Sequence, residues 1–137
     1  LCIIDNPPDV NMSVFNVLTV TDDVVVVTLL ETDSVEGIYK MAQQVEDVRQ
    51  FNPRLAIRGV LVNQYIAFPD VSVIYRGVQE AGFPIFRTRI SYATRLAKYH
   101  LMTASQGQKS IFEVCPSCRI ARDLMEFAEE LLDGGAA

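Results

Sequence analysis

Apolar and polar positions along the chain repeat with two different periods, and the switches between them mark out its elements. Leu1 to Ile4 is a short apolar run ending in Asp5 and then in Pro7 and Pro8, as a buried parallel strand does when it delivers a carboxylate to the carboxyl edge of a sheet. Asn11 can cap a helix running from about Met12 to Val20, with Val14, Phe15 and Leu18 on its apolar face, and Thr21-Asp22-Asp23 breaks it. Val24 to Thr28 is a continuous β-branched run, too short for a helix and apolar on both faces, which predicts a central parallel strand. Ser34 then caps a longer helix, Val35 to about Gln50. Its positions Val35, Ile38, Ala42, Val45 and Val48 step by three and four as one buried stripe, with Glu36, Lys40, Gln44, Glu46 and Asp47 outside. Asn52-Pro53 ends it.

A third strand is expected over Ala56 to Val62, stopping at Asn63 on the same carboxyl edge. Pro69-Asp70 starts a helix with the stripe Val71, Ile74, Val78 and Ala81, closed by Gly82. Pro84 to Ile90 alternates with polar residues and reads as a fourth strand near the sheet edge. A short helix around Thr94 to Met102 and a polar loop over Thr103 to Ser110 follow. The last helix, Ser117 to Leu132, carries Ile120, Leu124, Phe127 and Leu131 on one face, and Gly134-Gly135 terminates it. Strands alternating with amphipathic helices specify an α/β fold, a parallel sheet of about four strands with helices on both faces.

Composition bounds the function. With 137 residues, half of them hydrophobic, the chain is one domain's worth and has enough apolar material for a core. No apolar stretch approaches the roughly 18 to 20 residues of a membrane span, and the start reads as neither signal nor transit peptide, so a cytoplasmic protein is expected. The chain opens in mid-strand without an initiating Met, as an internal fragment of something longer would. Cys2, Cys115 and Cys118 do not make a disulfide framework, Cys2 falling inside an expected buried strand.

Charge is distributed unevenly. Arg87, Arg89, Arg95, Lys98, Lys109, Arg119 and Arg122 are seven of the twelve basic residues, and between 87 and 122 they meet a single acid, Glu113, although the chain carries −5 overall. Such asymmetry argues for an anionic partner at that stretch; the alternative is a solvated face balancing the acidic helices. C-P-S-C at 115 to 118 invites a redox or zinc reading. Zinc wants four ligands, and Cys2 and His100 are spaced unlike any finger or ribbon, so Pro116 and Ser117 are read as helix-start residues.

Taken in order, I-I-D-N-P-P at 3 to 8, Asn16 and Leu18, Asp22 before the valine strand, Glu31 and the E-G at 36 to 37 form a recognisable series. N-P-R-L-A-I-R-G-V-L at 52 to 61, T-R-L at 94 to 96, Gln106-Gly107, Pro116, Arg119, Ala121 and the closing A-E-E-L-L continue it. The series covers nearly the whole chain and resembles the second half of the ParA/Soj partition ATPases, of the MinD-like, deviant Walker-A group. The resemblance implies a partial P-loop NTPase fold, with residues 1–137 the carboxyl-terminal portion of a single nucleotide-hydrolase domain. It implies ATP and Mg²⁺ as cofactors of the complete protein, with Asp5 as the acid that orders Mg²⁺ and its waters, and Pro7 stiffening the segment after it. Asn63 matches a position where relatives place a side chain against adenine; read alone, it is a strand-terminal Asn making an Asx turn. Ile90 opens I-S-Y-A where the family has I-P-R-N, a departure at the base and ribose contacts. The resemblance further implies a homodimer, non-specific DNA bound through Arg95, Lys98, Arg87, Arg89, Lys109 and Arg119, a ParB-like stimulating partner, and a nucleoid-associated protein.

One departure is larger. No G-x-x-x-x-G-K-[ST] occurs anywhere, and the seven glycines are scattered singly except for the terminal pair. The backbone cradle and lysine that hold β- and γ-phosphates must therefore lie in a missing half, and this chain alone is expected to be inactive. Two functions of different class follow: the carboxyl-terminal part of a DNA-partitioning ATPase, or a non-catalytic dimerisation and DNA-interaction module. A MinD-like membrane role is weaker, because the polar face of D-L-M-E-F-A-E-E-L-L is acidic where a membrane-targeting helix is basic.

Overall fold

The computed structural model describes residues 1–7, 11–29, 31, 33–66, 69–93 and 110–134. In chain order they form α1 (Met12–Leu18), β1 (Asp23–Thr28), α2 (Ser34–Arg49), β2 (Ala56–Tyr65), α3 (Pro69–Glu80), β3 (Ile85–Ser91), a single-turn α4 (Ile111–Val114) and α5 (Arg119–Asp133). The strands build one parallel sheet in the order β1-β2-β3. The expected α/β class is therefore what the chain adopts, with three of the anticipated strands in the sheet.

The helices form where the sequence supplies both a start and an apolar face. The side-chain oxygen of Asn11 accepts the N–H groups of Ser13 (2.9 Å) and Val14 (3.1 Å), the expected cap of α1. Val14 and Leu18 are buried as expected, but α1 stops at Leu18, where the Thr21 hydroxyl donates to the Val17 carbonyl. Asp33 rather than Ser34 takes the cap position of α2. The Ser34 hydroxyl instead accepts the Glu31 N–H and donates to the Leu29 carbonyl, folding the preceding loop back on the helix. Ile38, Val45 and Val48 are buried as the stripe requires. Gln44, expected outside, is buried too, because it sits three residues after Met41 and four before Val48, on the margin of that stripe. After α2 the Asn52 amide donates to the carbonyls of Leu18 (3.0 Å) and Thr21 (2.6 Å), tying the two turns together.

Two apolar layers sandwich the sheet. On one face α1, α2 and α3 pack on it through Val14, Leu18, Ile38, Val45, Val48 and Val78. On the other, α5 alone among the described helices lays Leu124, Phe127 and Leu131 against Val25, Leu61, Phe86 and Ile90. Phe86 is fully buried and meets Phe127 edge to face at 5.0 Å.

Two expectations about the sheet are corrected. Leu1 to Ile4 is not a strand: Leu1 is 97% and Ile3 81% exposed, and Cys2 is exposed with them. An apolar run becomes a strand only where a neighbour offers ladder hydrogen bonds, and none of the described strands pairs with it. The valine run of β1 lies at an edge of the sheet and not in its centre, with Val27 59% exposed. The central position belongs to β2, whose Gly59 to Val62 are buried. Continuous apolar residues specify burial on two faces, not which strand lies between the others. β3 takes the other edge, as its polar alternation predicts. The anticipated helix over 94–102 and the loop over 103–109 lie outside the described residues.

Candidate functional site

The carboxyl ends of the three strands fall at Thr28, Tyr65 and Ser91, and ligands of open α/β sheets bind along that edge. Asn63 is half-buried there, with its side-chain oxygen accepting the N–H of Gln64 at 2.9 Å. Gln64 adopts φ +51°, an Asx-type kink at the register shift between β2 and β3. Beyond the kink, Tyr65 and Tyr75 of α3 hold the guanidinium of Arg89 between them, 4.9 and 4.4 Å from the ring centroids. The Arg89 Nε is buried and has no hydrogen-bond partner among the described residues. Ile90 packs in the core against α5, so its side chain is committed to packing. Asp5 and Pro7 are exposed in the irregular segment before α1; Pro8 lies outside the described residues.

The remaining basic residues divide into two groups. Arg95, Lys98 and Lys109 lie outside the described residues. Arg87 and Arg119 extend from β3 and α5 into solvent, each beside a carboxylate: Arg87 Nε is 3.6 Å from Glu130, and Arg119 Nε is 3.5 Å from Asp123. Arg87 also borders an open groove of about 380 Å³ lined by Thr88, Glu126, Glu129, Glu130 and Asp133. Folding thus places four acids of α5 around a residue whose sequence neighbours are basic. A phosphate approaching Arg87 would meet their repulsion.

The most ordered polar arrangement in the described structure is one that the sequence reading passed over. Between the pairs Val60–Ile85 and Val62–Arg89, β3 advances four residues while β2 advances two. The resulting bulge turns the adjacent N–H groups of Arg87 and Thr88 away from the ladder. The Glu130 carboxylate takes both, Oε1 accepting from Arg87 at 2.7 Å and Oε2 from Thr88 at 3.0 Å. One heptad earlier on α5, Asp123 Oδ2 accepts the Ser91 N–H at 2.8 Å. Both acids are buried, and together they close the outer edge of β3. Burial works to raise the Glu130 carboxyl pKa. The two backbone N–H groups, the Thr88 hydroxyl and the Arg87 charge outweigh it and hold the group below the ordinary glutamate value of 4.5. The signal was present in the sequence. Asp123 and Glu130 are seven residues apart and each directly precedes a residue of the apolar stripe, Leu124 and Leu131. Ser110-x-x-Glu113 was equally legible as the capping box that starts α4.

These residues do not by themselves fit ATP with Mg²⁺. The sequence has no glycine-rich phosphate loop, the Asn63 side chain is engaged with its neighbour's N–H, and Asp5 is carried on no strand. Among the described residues no group of three or more His, Cys, Asp or Glu could hold a metal ion, and no helix is long and apolar enough to cross a membrane.

Comparison with known proteins adds the lineage. A family model described as an AAA domain matches residues 1–57. The chromosome partitioning protein ParA of Caulobacter vibrioides is 38% identical over 64 residues, covering 46% of this chain and 24% of that protein. The chromosome-partitioning ATPase Soj of Thermus thermophilus is 29% identical over 135 residues, covering 96% of this chain and 52% of that protein. The matched stretches thus span about half the length of Soj and about a quarter of that of ParA. The match to Soj runs through all three strands of the parallel sheet and on to α5, and together with the family-model and ParA matches it supports the ParA/Soj family of partition ATPases for this chain.

Proposed function

We propose that this chain is the carboxyl-terminal portion of a ParA-type ATPase that partitions DNA through ATP-dependent dimerisation and non-specific DNA binding, and that it is not catalytic alone. The observation that carries this reading is the match to Soj over 96% of the chain in the absence of any phosphate-loop motif. In the complete protein Asp5 would stand at the shell of a bound Mg²⁺, the nucleotide would supply the switch between monomer and dimer, the dimer would bind DNA, and a ParB-like partner would stimulate its release. Titration calorimetry of Mg²⁺-ATP into this chain tests the incomplete site, and no heat of binding is expected. Binding that Asp5→Ala abolishes would mean that the phosphate cradle is built from these residues, and the reading would be wrong.

DNA contact on this reading falls to Arg95, Lys98 and Lys109, with a smaller share for Arg89, whose guanidinium is held between Tyr65 and Tyr75. Arg87 and Arg119 contribute less because carboxylates of α5 stand beside them. Such binding is phosphate contact with counterion release, so log K against log salt should fall with a slope of about −0.9 per contact on duplex DNA. Arg95→Ala should reduce that slope by about one and weaken binding equally across sequences, whereas Arg87→Ala should leave it almost unchanged. Fluorescence anisotropy at several salt concentrations measures both. A slope that Arg95→Ala does not alter removes this residue from the interface.

A further inference from the structure

The turn between α4 and α5 is built like a site, although neither the partition reading nor the family match uses it. Its four residues are Cys115, Pro116, Ser117 and Cys118. Pro116 disfavours the helical region for the residue before it, and Cys115 lies outside that region at φ −148°, ψ 65°. Proline also pre-sets the second position of a β-turn, and the turn closes with the Cys118 N–H donating to the Cys115 carbonyl at 3.1 Å. A turn of this type holds its end Cα atoms less than about 7 Å apart, and disulfides span about 4.4 to 6.8 Å. Both thiols are free and half-exposed, within reach of a small oxidant. Cys118 is the cap residue of α5, and its side chain makes no capping hydrogen bond there, so no such bond has to break before the sulfur can react.

We propose that Cys115 and Cys118 are a reversible dithiol–disulfide site, oxidised by small-molecule disulfides of the glutathione class, and that oxidation tightens the amino-terminal end of α5. One cysteine thiolate attacks the oxidant's S–S bond, forming a mixed disulfide and releasing one glutathione thiolate. The second cysteine thiolate attacks the protein sulfur of that mixed disulfide, forming the Cys115–Cys118 bond and releasing the second glutathione. Two cysteines lose one electron each, one glutathione disulfide becomes two thiols, and the two cysteine protons pass through solvent to the released thiolates. The link to the fold is positional. Asp123, five residues after Cys118, accepts the Ser91 N–H at the open edge of β3. Tethering residue 118 to residue 115 restrains the local opening that would free that N–H.

The test uses a Cys2→Ser background, which removes the exposed thiol. The chain is equilibrated in mixtures of reduced and oxidised glutathione, alkylated, and analysed by intact and peptide mass. The expected result is loss of both thiols together, a mass lower by about 2 Da, no glutathione adduct on the 115–118 peptide, and full reversal by dithiothreitol. Adding Cys115→Ser or Cys118→Ser should leave the remaining thiol carrying a stable glutathione adduct. Adducts accumulating on residues 115 or 118 of the otherwise intact chain, or a pair that stays reduced throughout, would overturn the assignment. Hydrogen exchange at the Ser91 amide should slow several-fold in the oxidised chain, and an unchanged rate would overturn the coupling to α5.

Discussion

Replacing Glu130 by alanine is expected to destabilise the fold by about 3 kcal/mol, because one buried carboxylate accepts two backbone N–H groups and each such charge-assisted bond contributes roughly 1.5 to 3 kcal/mol. The lower end of the summed range applies, since the Arg87 and Thr88 N–H groups lie at a sheet edge that water can reach once the side chain is gone. Glu130→Gln retains the shape and one acceptor and should cost about half as much. The two variants also differ from wild type in their response to acid. The folded-state pKa of Glu130 is depressed, so its stabilisation is fully present above the ordinary glutamate value of 4.5 and is lost as pH falls through the lower folded value. Urea unfolding of wild type and Glu130→Gln should therefore give free energies that differ by more than 1 kcal/mol at pH 7 and converge as pH falls from 4.5 through the lower folded value. A difference that persists unchanged at low pH would show that the carboxylate charge is not what closes the β3 edge. Removing it also leaves two adjacent N–H donors unpaired on an edge strand, so the alanine variant should aggregate more readily.

Why that clamp escaped the sequence reading while most of the fold did not is a matter of range. Periodicity is a local property, and it located α2 and α5 to within two residues because Ile38, Val45 and Val48, or Ile120 and Leu124, need only their own helix to define a face. Caps are local too: Asn11 behaves as its type and position predict. Strand order is not local. The β-branched run of β1 and the mixed run of β2 differ little in pattern, yet one is an edge and the other the centre, and only pairing decides which. The same holds for charge. Arg87 and Arg119 belong to a basic stretch along the chain but stand beside Glu130 and Asp123 in space, so a run of like charge in sequence became two mixed pairs in the fold. Asp5 is the opposite case. Its sequence setting of apolar run, acid and prolines reads as the end of a strand, but a strand in that position requires a partner, and none of the described strands is one. At the carboxyl edge the expected strand end at Asn63 is overrun, because β2 continues to Tyr65, and the Tyr65–Arg89–Tyr75 stack joins three elements and has no signature in any of them.

Phe86→Ala should be the most damaging single substitution among the described residues, at about 3 to 5 kcal/mol. Phe86 is 0% exposed and stands in the apolar layer that α5 makes with the sheet, meeting Phe127 edge to face, with Leu61, Ile90, Leu124 and Leu131 in the same layer. Truncation leaves a cavity that this layer can fill only by moving the helix. Stability of a domain this size is commonly about 5 to 15 kcal/mol, so the variant should remain folded but melt ten or more degrees lower. Val27→Ala is the control: a 59% exposed valine on the same sheet should cost no more than about 0.5 kcal/mol. A Phe86 variant as mild as that control would mean that α5 is not held by its apolar face. The double variant Phe86→Ala, Glu130→Ala then separates two modes of docking. If α5 leaves the sheet as a unit, either substitution alone already forfeits part of the other's contacts, and the combined loss should fall short of the sum by 1 kcal/mol or more. If the carboxylate clamp and the apolar layer act independently, the losses should add to within about 0.5 kcal/mol. The geometry favours the first outcome, because Glu130 lies between Phe127 and Leu131 on one helical turn and cannot keep its two N–H partners once those side chains lift away.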